Sequence, residues 1–534
     1  MATSRRTLRQ LIVAAAMVYA SGSALAQQRS DVPAAKQLDT LAGSAVVARV
    51  GPTVITAQEF LYGYLFGPSF VKKRPDSRRR YLECMMREKI LALGERARGA
   101  TQDPRVRANL DAVEGDLATE ELYRDDVLSG VHVTEEEVAA AAQKQRVEVT
   151  VRWLYAAERK GADSLARRLQ TGETFDALFQ KQCAGGVPRE DRSMTVTMMD
   201  LMKRNAAMAR IVEILPAGRP SDVITVPDGQ YIMQVDSVRT NAIVTGSAEA
   251  EARHDAQRWL TQQRSDSLSG LYVQKMMLEA DPVIERRTFD ILRAYLGTVL
   301  VTDSTFNAWG LADRFRGEED TVHYRDPDRY ERHTLVQTTP GALTLGMFMS
   351  WYRLREPNLR LRLVSPQSFF VSLEEIVWRM VRDELLVRRA RARGLHERPG
   401  VVAQKQWWED KLLYQVAKDS LSRTITWTDT TLREYFDKHP RLHRDGTGTM
   451  RRFEEAKEDV LREWYAMALT ERVLRRLNAL KDLYPVSVDD AALRRVPVDA
   501  EADPRAIDVA VAKKGGTFPR PAYPTIDPFW QTWQ

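Results

Sequence analysis

Apolar positions recur at helical spacing along most of the chain, with charged residues filling the opposite faces. The stretch "MMREKILALGERARG" (85–99) is one such helix, ended by a glycine, and "MVRDELLVRRARARG" (380–394) repeats it 295 residues later with seven of fifteen positions identical. The likeness runs in both directions. Upstream, "VVARVGPTVITAQEFLYGYLFGP" (46–68) is answered by "TLVQTTPGALTLGMFMSWYRLREP" (334–357), with Ile55 and Phe60 matched by Leu343 and Phe348. Each reads as a short β-branched strand, a Gly/Pro turn, a second strand, and then Thr56 or Thr344 as the N-cap of a helix. Downstream, Pro104 answers Pro399, and "VTEEEV" (133–138) answers "WTDTTL" (427–432), both with a capping Thr. One mainly helical lobe written twice is the simplest account.

The two copies then diverge. The second passes through "RLHRDGTGTM" (441–450) directly into a long helix and a Val-rich strand (451–489). The first reaches its equivalent, 250–285, only after about a hundred residues of different character. Within that stretch, "VEVTVRWLY" (147–155) alternates as a strand does. "ADSLARRLQTGETFDALFQKQ" (162–182) predicts two short helices split at Gly172, and "MMDLMKRNAAMARIVEILPAG" (198–218) predicts one helix stopped by Pro216. "DVITVPDGQYIMQVDSV" (222–238) predicts a β-hairpin turning at Pro227-Asp228-Gly229. Residues 147–240 therefore predict a small α+β module inserted into a discontinuous helical lobe. The fold class is mainly α with an α+β insert: lobe 1 from 45–146 and 245–292, the module at 147–240, a linker at 293–332, and lobe 2 at 333–496.

The chain begins "MATSRRTLRQ LIVAAAMVYA SGSALAQQ", with arginines at 5, 6 and 9, an apolar run, and Ala24-Leu25-Ala26. That is the pattern of a secretory signal (1–26) cleaved after Ala26, by the general route rather than the twin-arginine one. Beyond it no apolar run reaches the roughly 18 residues of a membrane span, so the mature chain is expected without an integral membrane segment, in the periplasm. Lys and Arg (79) are interleaved with Asp and Glu (73), which excludes a nucleic-acid patch. The two cysteines, Cys84 and Cys183, read as separate thiols. His439 and His443 straddle Pro440, so no metal site and no cofactor are expected.

In order, "VVARVGPTVITAQEF", "REKILALGERARG", "VTEEEV", "LARRLQTGETFDAL" and "LPAGRPSDVITVPDGQYIMQVDSV", followed by a returning helix, resemble the SurA and PrsA group of exported chaperones. In that group a helical cradle carries parvulin-type (PpiC) peptidyl-prolyl isomerase modules. The resemblance covers 45–292 and, without the module, 333–496. It implies unfolded or nascent exported polypeptides as partners, outer-membrane proteins among them.

The module departs from the family at its pocket. Where parvulins carry a first-strand His this chain has Trp153, and where they carry a hairpin His it has Tyr231. Gly185-Gly186 continues Val187-Pro188, and the family's Phe falls on Glu213. Isomerisation requires tighter binding of the twisted amide than of the planar one, against a barrier of about 20 kcal/mol. Trp153 is bulky enough to fill the pocket, and Tyr231 keeps one hydroxyl donor. The expectation is a degenerate, inactive isomerase module. An active isomerase and a scaffold for one dedicated partner are the alternatives.

Chaperoning asks for apolar surfaces tolerant of sequence. The candidate peptide-binding side chains are Phe60, Tyr64 and Phe66, then Met198, Met199 and Met202, then Phe348, Trp351 and Tyr352. The competing reading makes each of them helix core. Residues 497–534 form a Pro/aromatic-rich tail without helical or strand period, which implies an occupant's role, either in the chain's own cradle or on another protein.

Overall fold

The computed structural model describes residues 27–28, 43–73, 75–185, 188–226, 229–241, 245–317, 322–355, 359–440, 446, 448–496, 498, 510–511, 518 and 523–532. The signal-like stretch 1–26, Gly186 and Val187, and the turn residues Pro227 and Asp228 lie outside them, as does most of 497–522. The chain is mainly α-helical with small antiparallel sheets. It divides into two compact units, one formed by 1–125 with 272–534, the other by 126–271. No helix among the described residues is long and apolar enough to cross a membrane.

The larger unit opens with β1 (Val46–Val50) and β2 (Thr53–Thr56), an antiparallel pair turning at Gly51. That glycine has φ 52°, and a Cβ there would meet Tyr484 at 2.9 Å, so both backbone and space require it. Helices α1 (Ala57–Phe66), α2 (Ser77–Ala97) and α3 (Pro104–Asp126) follow. Thr56 caps α1 by accepting from the Glu59 N–H, a contribution of about 1 kcal/mol.

The smaller unit contains α4 (Glu135–Lys144), β3 (Val147–Ala156), α5 (Arg159–Gln170), α6 (Phe175–Ala184), β4 (Ser193–Thr197), α7 (Met198–Arg204), α8 (Ala206–Ile214), β5 (Ile224–Val226) and β6 (Gly229–Thr240). The stretch expected as one helix over 198–218 is two. Asn205 leaves the helical region at φ −152° and its side chain accepts from the Ala207 and Met208 N–H groups, capping α8. Strand β4 lies outside the expected elements, because "SMTVT" is short and is separated from Gly185-Gly186 and Pro188 by the charged run 189–192. Helix α9 (Gly246–Ala280) contains the boundary at residue 271.

The chain continues with β7 (Val283–Ile284), α10 (Arg286–Leu300), α11 (Asp303–Ala308), β8 (Thr334–Gln337), β9 (Leu343–Thr344), α12 (Leu345–Arg355), α13 (Pro366–Ala392), α14 (Pro399–Arg423), α15 (Asp429–Lys438), α16 (Phe453–Leu480) and β10 (Val486–Val488). Within 293–332, Phe306, Leu311 and Phe315 are buried, so this stretch packs as core rather than running as an open connection.

Helices α2 and α13 end alike. Gly99 and Gly394 take φ 82° and 69°, each is followed by a 3-10 turn, and Pro104 or Pro399 then opens the next helix. The two similar stretches do not fold side by side. The β1–β2 pair takes its third strand from β10, and the β8–β9 pair takes its third from β7. The helices are exchanged in the same way: α2 lies on α14, whereas Gly115 of α3 packs against Val387 of α13. One continuous core consequently joins Phe60, Tyr81 and Leu91 to Tyr414, Val473 and Trp530. The segments 45–125, 272–292 and 333–496 thus share one unit.

Candidate peptide-binding site

The sheet of the smaller unit runs β4-β3-β6-β5, all antiparallel. Alternation along β3 turns Val149, Val151 and Trp153 toward α7 and α8, and Leu154 toward α6. Trp153 lies opposite Met233, and Tyr155 opposite Tyr231 with ring centroids 5.3 Å apart. Trp153, Tyr231 and Met202 are half-buried around the buried Met198, while Met199 packs into a separate cluster with Val138 and Ala256. The module contains no histidine. Glu213, expected within the pocket, is exposed and pairs with Lys144 at 3.0 Å. Arg152 is engaged on the other face, 2.6 Å from Asp176, paired with Asp236 and lying over the Phe179 ring. The Trp153 face therefore offers, among the described residues, apolar and aromatic surface with phenol hydroxyls in place of imidazoles.

The larger unit holds a groove between α1, α2 and α14, and the segment 523–532 lies in it. The Tyr523 ring stacks on Tyr62 at 4.4 Å and on Phe66 at 5.0 Å. Burial pushes the Tyr523 phenol up. The Tyr81 hydroxyl accepts from the Ile526 N–H at 3.2 Å and itself donates to the Gly63 carbonyl. Glu88 Oε1 accepts from the Asp527 N–H at 2.6 Å and from the Trp530 indole at 2.9 Å. Its other oxygen pairs with Lys411 at 2.7 Å. The Asp527 carboxylate meets Lys418 at 2.6 Å and the Tyr414 hydroxyl at 3.0 Å. Ile526, Phe529 and Trp530 are buried.

The electrostatics follow from this dry setting. Burial pushes the Glu88 carboxyl up, against the pull of Lys411. Burial acts in the same sense on Asp527, yet Lys418 and Lys411 outweigh it and hold that carboxyl below its ordinary range. Beneath the groove Lys89 bridges Glu59 at 2.9 Å and Asp410 at 2.5 Å, with all three side chains buried. Removing one partner from such a network costs about 3–5 kcal/mol, because a charge is then left buried without compensation. Burial also raises the Cys84 thiol to about 12, and Cys84 and Cys183 are both free.

A second carboxylate–indole bond lies elsewhere in the unit. Asp383 stands at the position of α13 that matches Glu88 of α2, and it accepts from the Trp351 indole at 3.1 Å. Trp351 comes from α12, and the matching position of α1 is Gly63.

Of the nine candidate peptide-binding side chains, Phe60, Tyr64, Met198, Met199, Phe348, Trp351 and Tyr352 are buried in packing. Phe66 and Met202 keep partial exposure, and only Phe66 touches the 523–532 segment. Residues that line the groove but escaped the sequence reading are Tyr62, Tyr81, Glu88, Trp407 and Lys411. One signal was available: in "REKILAL", Lys89 interrupts an apolar stripe formed by Met86, Ile90 and Leu93, and a charge on the buried face demands a partner.

No family model matches the chain, and no curated protein does. Among solved structures it is similar to the peptidylprolyl isomerase PrsA of Bacillus anthracis, at 13% identity over 29% of this chain and 69% of that one, with a TM-score of 0.20. PrsA of Bacillus cereus matches at 14% identity over 42% and 86% of the two chains, with a TM-score of 0.21. PrsA of Bacillus subtilis matches at 14% identity over 42% and 92%, with a TM-score of 0.15.

Proposed function

We propose that this protein is a folding chaperone of exported polypeptides, and that its larger unit, built from a duplicated helical lobe, does the holding. The observation that carries the reading is the groove itself. Through stacked aromatics it grips a stretch of polypeptide that has no strand or α-helix, and it takes main-chain N–H groups onto the Tyr81 hydroxyl and the Glu88 carboxylate. Main-chain N–H groups are supplied by any client, and the side-chain contacts beside them rank clients by how well they match. The leader-like 1–26 stretch supports export to the periplasm, with unfolded exported and outer-membrane proteins as clients.

The smaller unit, 147–240 within it above all, is proposed as a parvulin-like module that binds apolar segments without catalysing isomerisation. Trp153 and Tyr231 stand where the resemblance asks for imidazoles, and the side chains around them are Met, Leu and Val. Two assays test the reading. In light scattering, near-stoichiometric protein is expected to suppress aggregation of an unfolded outer-membrane protein; unchanged aggregation with folded protein sinks the chaperone assignment. In an exchange measurement on a short proline peptide, no acceleration above background is expected. Measurable turnover replaces the inactive module by the isomerase alternative.

A further inference from the structure

We propose that the groove between α1, α2 and α14 is a specific peptide site. Its ligand is a segment presenting an apolar residue, an aspartate, a proline and two aromatics, and residues Ile526-Asp527-Pro528-Phe529-Trp530 are its resident, exchangeable occupant. The inference rests on the chaperone reading for what replaces that occupant, and on geometry alone for the site.

Three observations carry it. The occupant contributes no strand or helix to the unit's sheets or bundles. It runs without regular structure up to the 3-10 turn Pro528–Thr532, and its polar bonds include those to the Tyr81, Glu88, Lys418 and Tyr414 side chains. Those partners are a phenol, a carboxylate and an ammonium, groups that water solvates well when the segment leaves. Ile526, Phe529 and Trp530 complete the unit's apolar core, so whatever replaces the segment must refill their places with apolar and aromatic side chains.

The recognition is also ordered along the segment. Tyr523 stacks on Tyr62 and Phe66, Asp527 meets Lys418, and Trp530 reaches Glu88. A ligand needs an anion where Lys418 waits and an N–H donor on a flat ring where Glu88 waits. Proline at the start of the turn supplies a φ already fixed near the helical value, which lowers the ordering cost.

The matching site at Asp383 shows what a closed version looks like. There the indole is built into α12 as Trp351. In α1 the matching residue is Gly63, so the chain supplies no indole from that helix, and the Glu88 carboxylate takes one from Trp530 instead. One site is sealed by its own lobe, and the other is left for a segment that arrives from outside it.

The test uses the full chain with a protease site inserted between Gly515 and Gly516, cleaved after folding so that the body cannot fail to assemble. A fluorescein-labelled peptide of residues 517–534 is then added and its anisotropy followed. The cleaved protein is expected to take up the peptide at least tenfold more tightly than the uncut protein. Peptides carrying Trp530→Ala or Asp527→Lys are expected to bind at least tenfold more weakly than the natural one. If the cleaved protein keeps its own segment for hours and takes up no label, or if the variant peptides bind as well as the natural one, the segment is permanent core or nonspecific filling and the proposal is overturned. A reduced and alkylated unfolded protein is added last. Displacement of the label supports the inference together with the chaperone reading. Exchange without displacement leaves the site standing and overturns only the claim that clients replace the occupant.

Discussion

Two carboxylates at matching helix positions, Glu88 and Asp383, each accept an indole N–H, at 2.9 and 3.1 Å. Their surroundings differ in origin. Asp383 is satisfied by Trp351 from α12, 32 residues away, whereas Glu88 is satisfied by Trp530, 442 residues away. Near Asp383 the charge is answered by Arg382 at 2.7 Å, with Arg355 paired to Asp116 at 2.8 Å. At Glu88 the answering charge, Lys411, comes from α14, and the same carboxylate also receives a main-chain N–H of the docked segment. The same bond is therefore core in one place and recognition in the other. What separates them is whether the donor belongs to the bundle that buries it.

The strongest way to break this comparison is to truncate both indoles. Trp351→Ala removes a buried ring from the helical core and strands Asp383, so a loss of about 3–5 kcal/mol is expected in urea denaturation, with peptide uptake in the groove unchanged. Trp530→Ala is expected to cost less, on the order of 2 kcal/mol, because the loss is capped by the docking equilibrium of the segment. Equal losses for the two variants would make the groove ordinary core.

Glu88→Gln sharpens the contrast next. The amide still accepts from the Asp527 N–H and the indole but no longer neutralises Lys411. A tenfold weaker uptake of the 517–534 peptide is expected, with global stability changed by less than about 3 kcal/mol. Unaltered uptake would remove the carboxylate from recognition.

Acidification tests the charge that the segment itself brings to the groove. The Asp527 carboxyl is held below its ordinary value by Lys418 and Lys411, with the Tyr414 hydroxyl, Glu88 and Asp419 also facing it. Its contribution to docking is complete above the ordinary carboxylate pKa and is lost as pH falls through the lowered folded value. Peptide anisotropy is thus expected to fall at the acidic end, below the usual carboxylate range. Asp527→Asn in the peptide is expected to flatten that fall; an unchanged profile would remove Asp527 from the effect.

The smallest effect is expected from Gly63→Ala. A Cβ there meets the Tyr81 hydroxyl at 3.4 Å, ordinary contact, and alanine favours the helix by about 1 kcal/mol, so stability should change by no more than that. A larger loss in thermal melting would show that the close approach of α1 to Tyr81 tolerates no side chain.

Much of the local structure was legible in the sequence. Thr56, Thr134, Thr344 and Thr428 stand where the pattern placed them and accept from the third residue onward, because capping needs only a hydroxyl at the right spacing. The left-handed glycines at 99 and 394 and the split at Gly172 were legible for the same reason: each is decided by one residue's own backbone freedom. Where a short-range competitor intervened, as at Asn205, the sequence pattern failed, since a side-chain cap in mid-run looks like any polar residue on a helix face.

The sequence by itself determined most of the helices and their capped ends, the α+β character of 147–240 and the absence of imidazole there. Only the tertiary structure decided which partners those helices take. Lys89 and Asp410 are 321 residues apart and face each other through the exchange of α2 and α14 between the two similar stretches. The hairpins close with strands from opposite ends for the same reason, and Trp530 finds Glu88 rather than solvent. Periodicity states which face of a helix is apolar. It carries no information on which of several equivalent apolar faces will meet it, because that choice is made by shape and buried charge summed over the whole unit.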